Sequence, residues 1–345
     1  MTELLSPPTG PAVTAVDLEP RLAEHRAELT GYCYRMLGSS FDAEDAVQDT
    51  MVRAWRSLDK LQGPGALRSW LYRIATNVCL DSLAGRKRRA LPVDLSDEPS
   101  APVEASLAAT LPDGAWVEPA LTGSVLPSGA DPADLAVQRD SVRLAFVAAL
   151  QLLPPRQRAV LVLRDVLRWR ADEVATLLET STAAVNSALQ RARATLAAQQ
   201  PGTRSQPLDE DQSALLDRYV DAFQRYDIDA FVALLHEDVV QDMPPFAMWL
   251  RSAADIGAWM LGPGAECRGS VLLPVSLNGS VGVAQYRPSG PGGAHQPWSL
   301  TALEVVDGRI TRLTAFLDTR LFALFGLPAT PPQAAVDESR AAVQS

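Results

Sequence analysis

Thr182, Asn186, Ser187, Gln190, Arg191 and Arg193 recur on one side of a helical stretch, and their types suit a nucleic acid. Asn and Gln amides can pair two-for-two with an adenine edge, and guanidinium groups reach guanine edges and phosphates. A second group, Arg86, Lys87, Arg88 and Arg89, is a basic run of the kind that neutralises phosphates without reading sequence. A third is a helix face of Asp42, Asp45, Gln48, Asp49, Arg53 and Arg56, where short acids interleave with Arg and suit a charged helical partner. The fourth lies toward the C-terminus, where His236, Asp242, Trp249, Tyr286, His295 and Trp298 are candidates to line a pocket. His236 and Asp242, six apart, could make an acid–base pair. Against each group stands a plainer reading: a solvated helix face, a basic helix end, a satisfied core His or Trp. No triad, metal-ligand spacing or phosphate loop accompanies them, so no catalytic residue, metal or cofactor is expected.

These residues need elements to hold them. Ala43, Ala46, Val47, Thr50, Met51, Ala54, Trp55 and Leu58 recur at three-to-four spacing and predict a helix with one apolar stripe, Asp42 as its N-cap and Asp45 three residues on. Gln62-Gly63-Pro64-Gly65 breaks the pattern, and a second helix restarts near Leu67. Pro154-Pro155 opens another, and Ala171–Leu178 with Thr182–Leu196 reads as a helix-turn-helix whose core is Val174, Leu177, Leu178, Val185 and Leu189. Beyond about residue 207 the grammar changes. Helical patterns over Asp209–Leu235 and Ala253–Leu261 give way to alternating segments at Val239–Met243, Ser270–Asn278, Val281–Arg287, Trp298–Val306 and Arg309–Leu317, the last two joined by Asp307-Gly308.

Net charge is −10, but it alternates along the 345 residues. Residues 18–90 carry 12 Lys/Arg against 9 Asp/Glu, and residues 139–200 carry 9 against 5. Between them, residues 91–138 hold 8 acids, no Lys or Arg and seven prolines, which reads as a structureless tether. Residues 201–345 are acidic again, 17 against 10. Two basic modules separated by an acidic linker and followed by an acidic module are thus expected. The three cysteines are scattered, which excludes a disulfide scaffold, and no apolar run suits a membrane span or secretory signal. A reduced, cytoplasmic protein is the expectation.

The stretch YRMLGSSFDAEDAVQDTMVRAWRS (34–57), followed by LRSWLYRIATNVCLDSLAGRKRR, resembles region 2 of the extracytoplasmic-function (ECF) sigma factors of the sigma-70 family. LPPRQRAVLVLRDVLRWRADEVATLLETSTAAVNSALQRARATL (153–196) resembles region 4. Residues 207–325, with MPPFAMW and the DGRI hairpin, resemble the SnoaL-like (NTF2-like) domain that one subgroup carries as an extension. The resemblance implies two all-α domains and a C-terminal α+β cone: a tail at 1–17, region 2 at 18–90, a linker at 91–134, region 4 at 135–200, a SnoaL-like domain at 207–327 and a tail at 328–345. It implies binding to core RNA polymerase, through the β′ clamp helices (the Asp42–Arg56 face) and the β flap, and to promoter DNA. Gln62, Gly63, Arg73, Asn77 and Arg86–Arg89 would meet the −10 element, and the Thr182–Arg193 set the −35 element. The linker acids Asp94, Asp97, Glu98, Glu104 and Glu118 would lodge against basic polymerase surfaces. The third domain is expected to regulate, with a small apolar molecule as a candidate pocket ligand. Two other readings stay open: a ligand-sensing one-component regulator, and a SnoaL-like isomerase or cyclase.

Overall fold

The computed structural model describes residues 15–61, 63–126, 131–199 and 210–344, so Gln62 and most of the first 17 residues lie outside the described part. Small side chains set the geometry of the first module, helices α1 (Ala15–Leu37), α2 (Ser40–Arg56) and α3 (Leu67–Leu83). Ala43, Ala46, Ala54 and Ala75 are buried between the helices and let them approach closely, while the rings of Tyr32, Tyr34 and Tyr72 fill the remaining space. The Tyr32 hydroxyl meets Thr76 Oγ1 at 2.8 Å, so its polar tip is satisfied inside the core. The N-cap of α2 is not Asp42 as expected but Ser39, whose Oγ accepts from the Asp42 amide at 3.0 Å. Trp55 also departs from expectation. It leaves the apolar stripe and stands 62% exposed, because the packed face of α2 is narrow and ends at Ala54.

The linker is not a free tether. Its backbone groups pair in isolated tight turns and with distant parts of the chain, so no periodicity betrays the order. Ser100 N donates to Trp249 O (2.8 Å), Leu111 N to Pro245 O (2.7 Å), and Ala247 N to Ala109 O (3.0 Å). A short turn of helix, α4 (Thr122–Val125), follows. Trp116, Val117, Ala120, Val125 and Leu126, apolar residues scattered among the prolines and acids, are buried against the helical modules.

Helices α5 (Pro132–Asp140), α6 (Leu144–Leu150), α7 (Pro155–Leu161), α8 (Ala171–Leu177) and α9 (Thr182–Gln199) form the second helical module. Pro155 sits at the first position of α7, where its missing N–H costs nothing. Val174, Leu177, Leu178, Val185 and Leu189 close the helix-turn-helix core as expected. The two modules touch. Tyr72 of α3 packs on Trp169 just before α8, ring centroids 5.0 Å apart, and the Arg68 guanidinium lies over both rings.

Helices α10 (Glu210–Arg225), α11 (Ile228–Ala233), α12 (Ala253–Leu261), α13 (Arg320–Leu324) and α14 (Gln333–Gln344) accompany a six-stranded sheet. Its strands are β1 (Leu235–Asp242), β2 (Trp249–Arg251), β3 (Val271–Leu277), β4 (Ser280–Arg287), β5 (Gln296–Val306) and β6 (Arg309–Phe316), ordered β2-β1-β6-β5-β4-β3 with only β1–β6 parallel. Asp307 and Gly308 both take positive φ in the turn between β5 and β6. One face, through Leu272, Val283, Leu303 and Leu313, packs on Tyr219, Phe223 and Phe231 of α10 and α11. The other face, through Ala284, Tyr286, Leu300, Ala302 and Phe316, belongs to the same continuous core as both helical modules. Residues 328–345 are not merely a tail, since α14 buries Val336 and Ser339, whose Oγ donates to Ser270 O.

Candidate nucleic-acid interface

On α2, Asp45, Gln48, Asp49, Arg53 and Arg56 are exposed together with Val52 and Trp55, so the charged face has an aromatic centre that the periodicity had assigned inward. Arg53 lies 3.8 Å from Asp49 and 3.6 Å from Asp81. Asp42 is set apart from this face. Half-buried, its carboxylate accepts from Arg86 (2.6 Å) and Arg89 (2.8 Å).

That pairing divides the basic run. Arg89 is only 10% exposed and also donates to Trp116 O (3.0 Å) and toward Glu118 (3.4 Å), so it is a structural strut. Arg86 is exposed but held by Asp42, while Lys87 and Arg88 are exposed with no ion pair among the described residues. Glu118 does not face outward as a linker acid. It accepts from Ser39 Oγ at 2.6 Å, and burial pushes its carboxyl up despite Arg89. On α3, Asn77 is exposed, but Arg73 donates to Thr176 O of α8 at 3.2 Å. Gly63 takes φ +92°, a conformation that favours glycine, in the loop before α3.

The α9 face is open. Thr182, Asn186, Ser187, Gln190, Arg191 and Arg193 are all exposed, while Val185 and Leu189 anchor the opposite side. Arg191 donates to Ser187 Oγ (2.6 Å), and Arg193 grips Asp165 with two bonds (2.8 and 2.6 Å). The guanidinium of Arg191 is therefore braced within the open α9 face, and that of Arg193 is turned back toward the helix-turn-helix body.

The C-terminal candidates do not converge. His236 and Asp242 lie on one strand, bulged between Leu235 and Val240, and they are committed to different partners. His236 Nδ1 accepts from the Asp238 amide at 3.1 Å. Asp242 is fully buried, bonded to Arg312 Nη1 and to the Val93 amide of the linker, each at 3.0 Å, and burial pushes its carboxyl up against the pull of Arg312. Trp249 is its neighbour across β2, and the row Trp249, Asp242, Thr314, Ala302 runs along the face turned away from α10–α12. Tyr286 is on that face too, its hydroxyl donating to Pro328 O (2.8 Å) and its ring against Phe322. Trp298 stacks under Arg287 at 4.2 Å, and His295 Nε2 lies 2.9 Å from Gly269 O. These are structural roles.

Asn278 was missed. At φ +52° in the β3–β4 turn, its amide donates to Tyr34 Oη and Val142 O (2.6 Å each) and its Oδ1 accepts from Ala120 N (3.0 Å). One side chain thus ties the first module, the linker, the second module and the sheet. The dipeptide Asn278-Gly279 between alternating segments is a strong turn signal, though nothing in a turn signal foretells such partners.

Family models match in three places: Sigma-70 region 2 over residues 22–89, Sigma-70 region 4 over 143–196, and a SnoaL-like domain over 216–313. The ECF RNA polymerase sigma factor SigG of Mycobacterium tuberculosis is 43% identical over 317 residues, covering 90% of this chain and 84% of its own. The chain belongs to the ECF sigma factors. SigJ of the same organism is 29% identical over 84% of this chain and 88% of its own. Its crystal structure superposes with TM-score 0.59 at 25% identity, over 91% of this chain and all of that one. As an ECF sigma factor the protein binds core RNA polymerase and promoter DNA, recognises promoters and initiates transcription. The two helical modules are regions 2 and 4, and the sheet domain is SnoaL-like, as the sequence motifs imply. Among the described residues no helix is long and apolar enough to cross a membrane.

Proposed function

We propose that the arrangement described above is the idle form of the sigma factor, and that the SnoaL-like domain regulates by holding it. The observation that carries this is the contact between α3 and α8. Arg73 and Tyr72, on the helix expected at the −10 element, are engaged by Thr176 and Trp169 of region 4. The −10 and −35 elements are named for positions about 25 base pairs apart, roughly 85 Å of duplex at 3.4 Å per step. Helices in van der Waals contact cannot serve both, so regions 2 and 4 separate when the holoenzyme forms.

In this reading the α2 face, with Trp55 at its centre and Asp45, Gln48, Asp49, Arg53 and Arg56 around it, seats the β′ clamp helices, and region 4 also meets the β flap. An exposed Trp ringed by charge has the composition of an interface anchor. Asn186, Gln190 and Arg191 read −35 bases, while Lys87 and Arg88 take −10 phosphates. The SnoaL-like domain has no catalytic task here, which the separate partners of His236 and Asp242 support.

Run-off transcription with purified bacterial core polymerase tests the assignment. The full chain is expected to give promoter-dependent transcript and to bind duplex promoter DNA poorly without polymerase. Tight, sequence-specific duplex binding by the chain alone, with no transcript, would instead make it a one-component regulator.

A further inference from the structure

A cavity of about 640 Å³ opens between the end of α3 with the basic run, the linker turn at residues 112–115, and the start of α7. Arg86, Lys87, Arg88, Arg89 and Arg158 line it against only Asp42 and Asp113. Asp42 is already committed to Arg86 and Arg89, and Lys87 and Arg88 have no ion pair among the described residues. Arg158 is the unusual member. It is 4% exposed and has no carboxylate in ion-pair range among the described residues. Its Nη atoms donate to Met36 O, to Gln151 Oε1 (2.5 Å) and O (3.2 Å), and to Leu153 O (3.1 Å), while its buried Nε has no partner. A buried cation met only by neutral acceptors lacks the anion that ordinarily accompanies one. Burial accordingly lowers its pKa to about 10. Beside the cations lies an apolar wall of Leu37, Leu83, Leu153 and Pro155.

We propose that this cavity binds a nucleoside polyphosphate, its phosphates on Lys87 and Arg88 above the uncompensated buried charge of Arg158 and its base on the apolar wall, and that the bound nucleotide holds regions 2 and 4 together. The volume is that of a small-molecule site and far below what a duplex needs. The lining has three more cationic than acidic side chains, a match for clustered phosphates. Because the walls come from both regions and the linker, the cavity exists only in the closed form, so this inference rests on the idle-form reading. A ligand of the closed form alone weakens apparent affinity for core polymerase by a factor of 1 + [L]/Kd, about a hundredfold at a hundred times Kd. Lys87 and Arg88 would then serve the nucleotide in one state and DNA phosphates in the other.

The test is equilibrium dialysis of the full chain with labelled GTP, with ATP, GMP, tripolyphosphate and sulfate at matched ionic strength as competitors, and small-angle scattering on the same samples. One GTP per chain is expected, displaced by ATP, and at least tenfold less well by GMP or tripolyphosphate. The exposed double variant Lys87→Ala/Arg88→Ala is expected to lose binding at least tenfold without change in radius of gyration. Arg158→Gln should do likewise, and if it does not fold the double variant decides alone. No saturable binding by a chain that scattering shows closed overturns the site and leaves the idle-form reading standing. An extended chain overturns both. Undiminished binding by the double variant places the ligand elsewhere and overturns the site, and tripolyphosphate binding as tightly as GTP overturns the nucleoside assignment.

Discussion

Asp242 shows how a residue picked for chemistry can serve cohesion. A carboxyl six residues from a histidine invited an acid–base reading, yet the histidine nitrogen accepts the Asp238 amide while the buried carboxyl accepts the Val93 amide and Arg312. Arg312 and, on the linker, Asp94 are the charged groups acting on it directly, with Glu304 beyond Arg312. Because burial raises its pKa above the unfolded value, the folded state favours the protonated form. Its contribution is therefore fully present below the ordinary aspartate value and is lost as pH rises through the raised one. Asp242→Asn keeps the neutral shape, so its Tm should gain on the native protein's as pH rises from 4 to 7; parallel profiles would refute the assignment. Glu28 runs the other way. Burial raises its pKa, but bonds from His25 and Arg68 outweigh this and hold it low, so its stabilisation is lost as pH falls. At this scale the exposure of Thr182, Asn186, Ser187, Gln190, Arg191 and Arg193 on α9 was legible, because exposure follows from helical period. The partners of Arg73, Arg89 and Asp42 were not, since each lies between 27 and 103 residues away.

Elements were the most legible level, and the exceptions have physical causes. Ala253–Leu261 coincides with α12, and the β5–β6 hairpin turns where Asp-Gly stands, because local pattern and turn chemistry decide both. The linker escaped because its order comes from strand-edge and inter-module bonds, which leave no period in the sequence. Trp55 escaped because a stripe one residue narrower turns it outward. Its exposure makes a clean test of α2: Trp55→Ala should leave the unfolding midpoint nearly unchanged and weaken core-polymerase binding by about 2 kcal/mol, roughly thirtyfold. On α9, Gln190→Ala should cost about 1–3 kcal/mol on the preferred −35 sequence and less on scrambled DNA. Arg193 is braced by Asp165, so Arg193→Ala should reduce region 4 stability as well as affinity, whereas Arg191→Ala should lower the salt slope by about one with stability intact. Holoenzyme footprints at varied salt distinguish these.

Taken whole, the molecule is three recognisable domains sharing one continuous core, a fact that domain-by-domain reading could not reach. Asn278 is where they meet. Asn278→Ala would strand the Tyr34 hydroxyl, the Val142 carbonyl and the Ala120 amide, costing about 2–4 kcal/mol. Under the idle-form reading it should also raise transcript yield at limiting core polymerase; lower yield from a folded variant would count against the domain as a restraint. The same turn limits how freely such fusions can be shuffled. The amide arrives at the joint on a hairpin two residues long, and strand side chains alternate between faces, so one inserted residue would carry it to the wrong side. A SnoaL-like domain grafted from another sigma factor would therefore be accepted or rejected on the length and register of one short hairpin, however similar the rest of its surface.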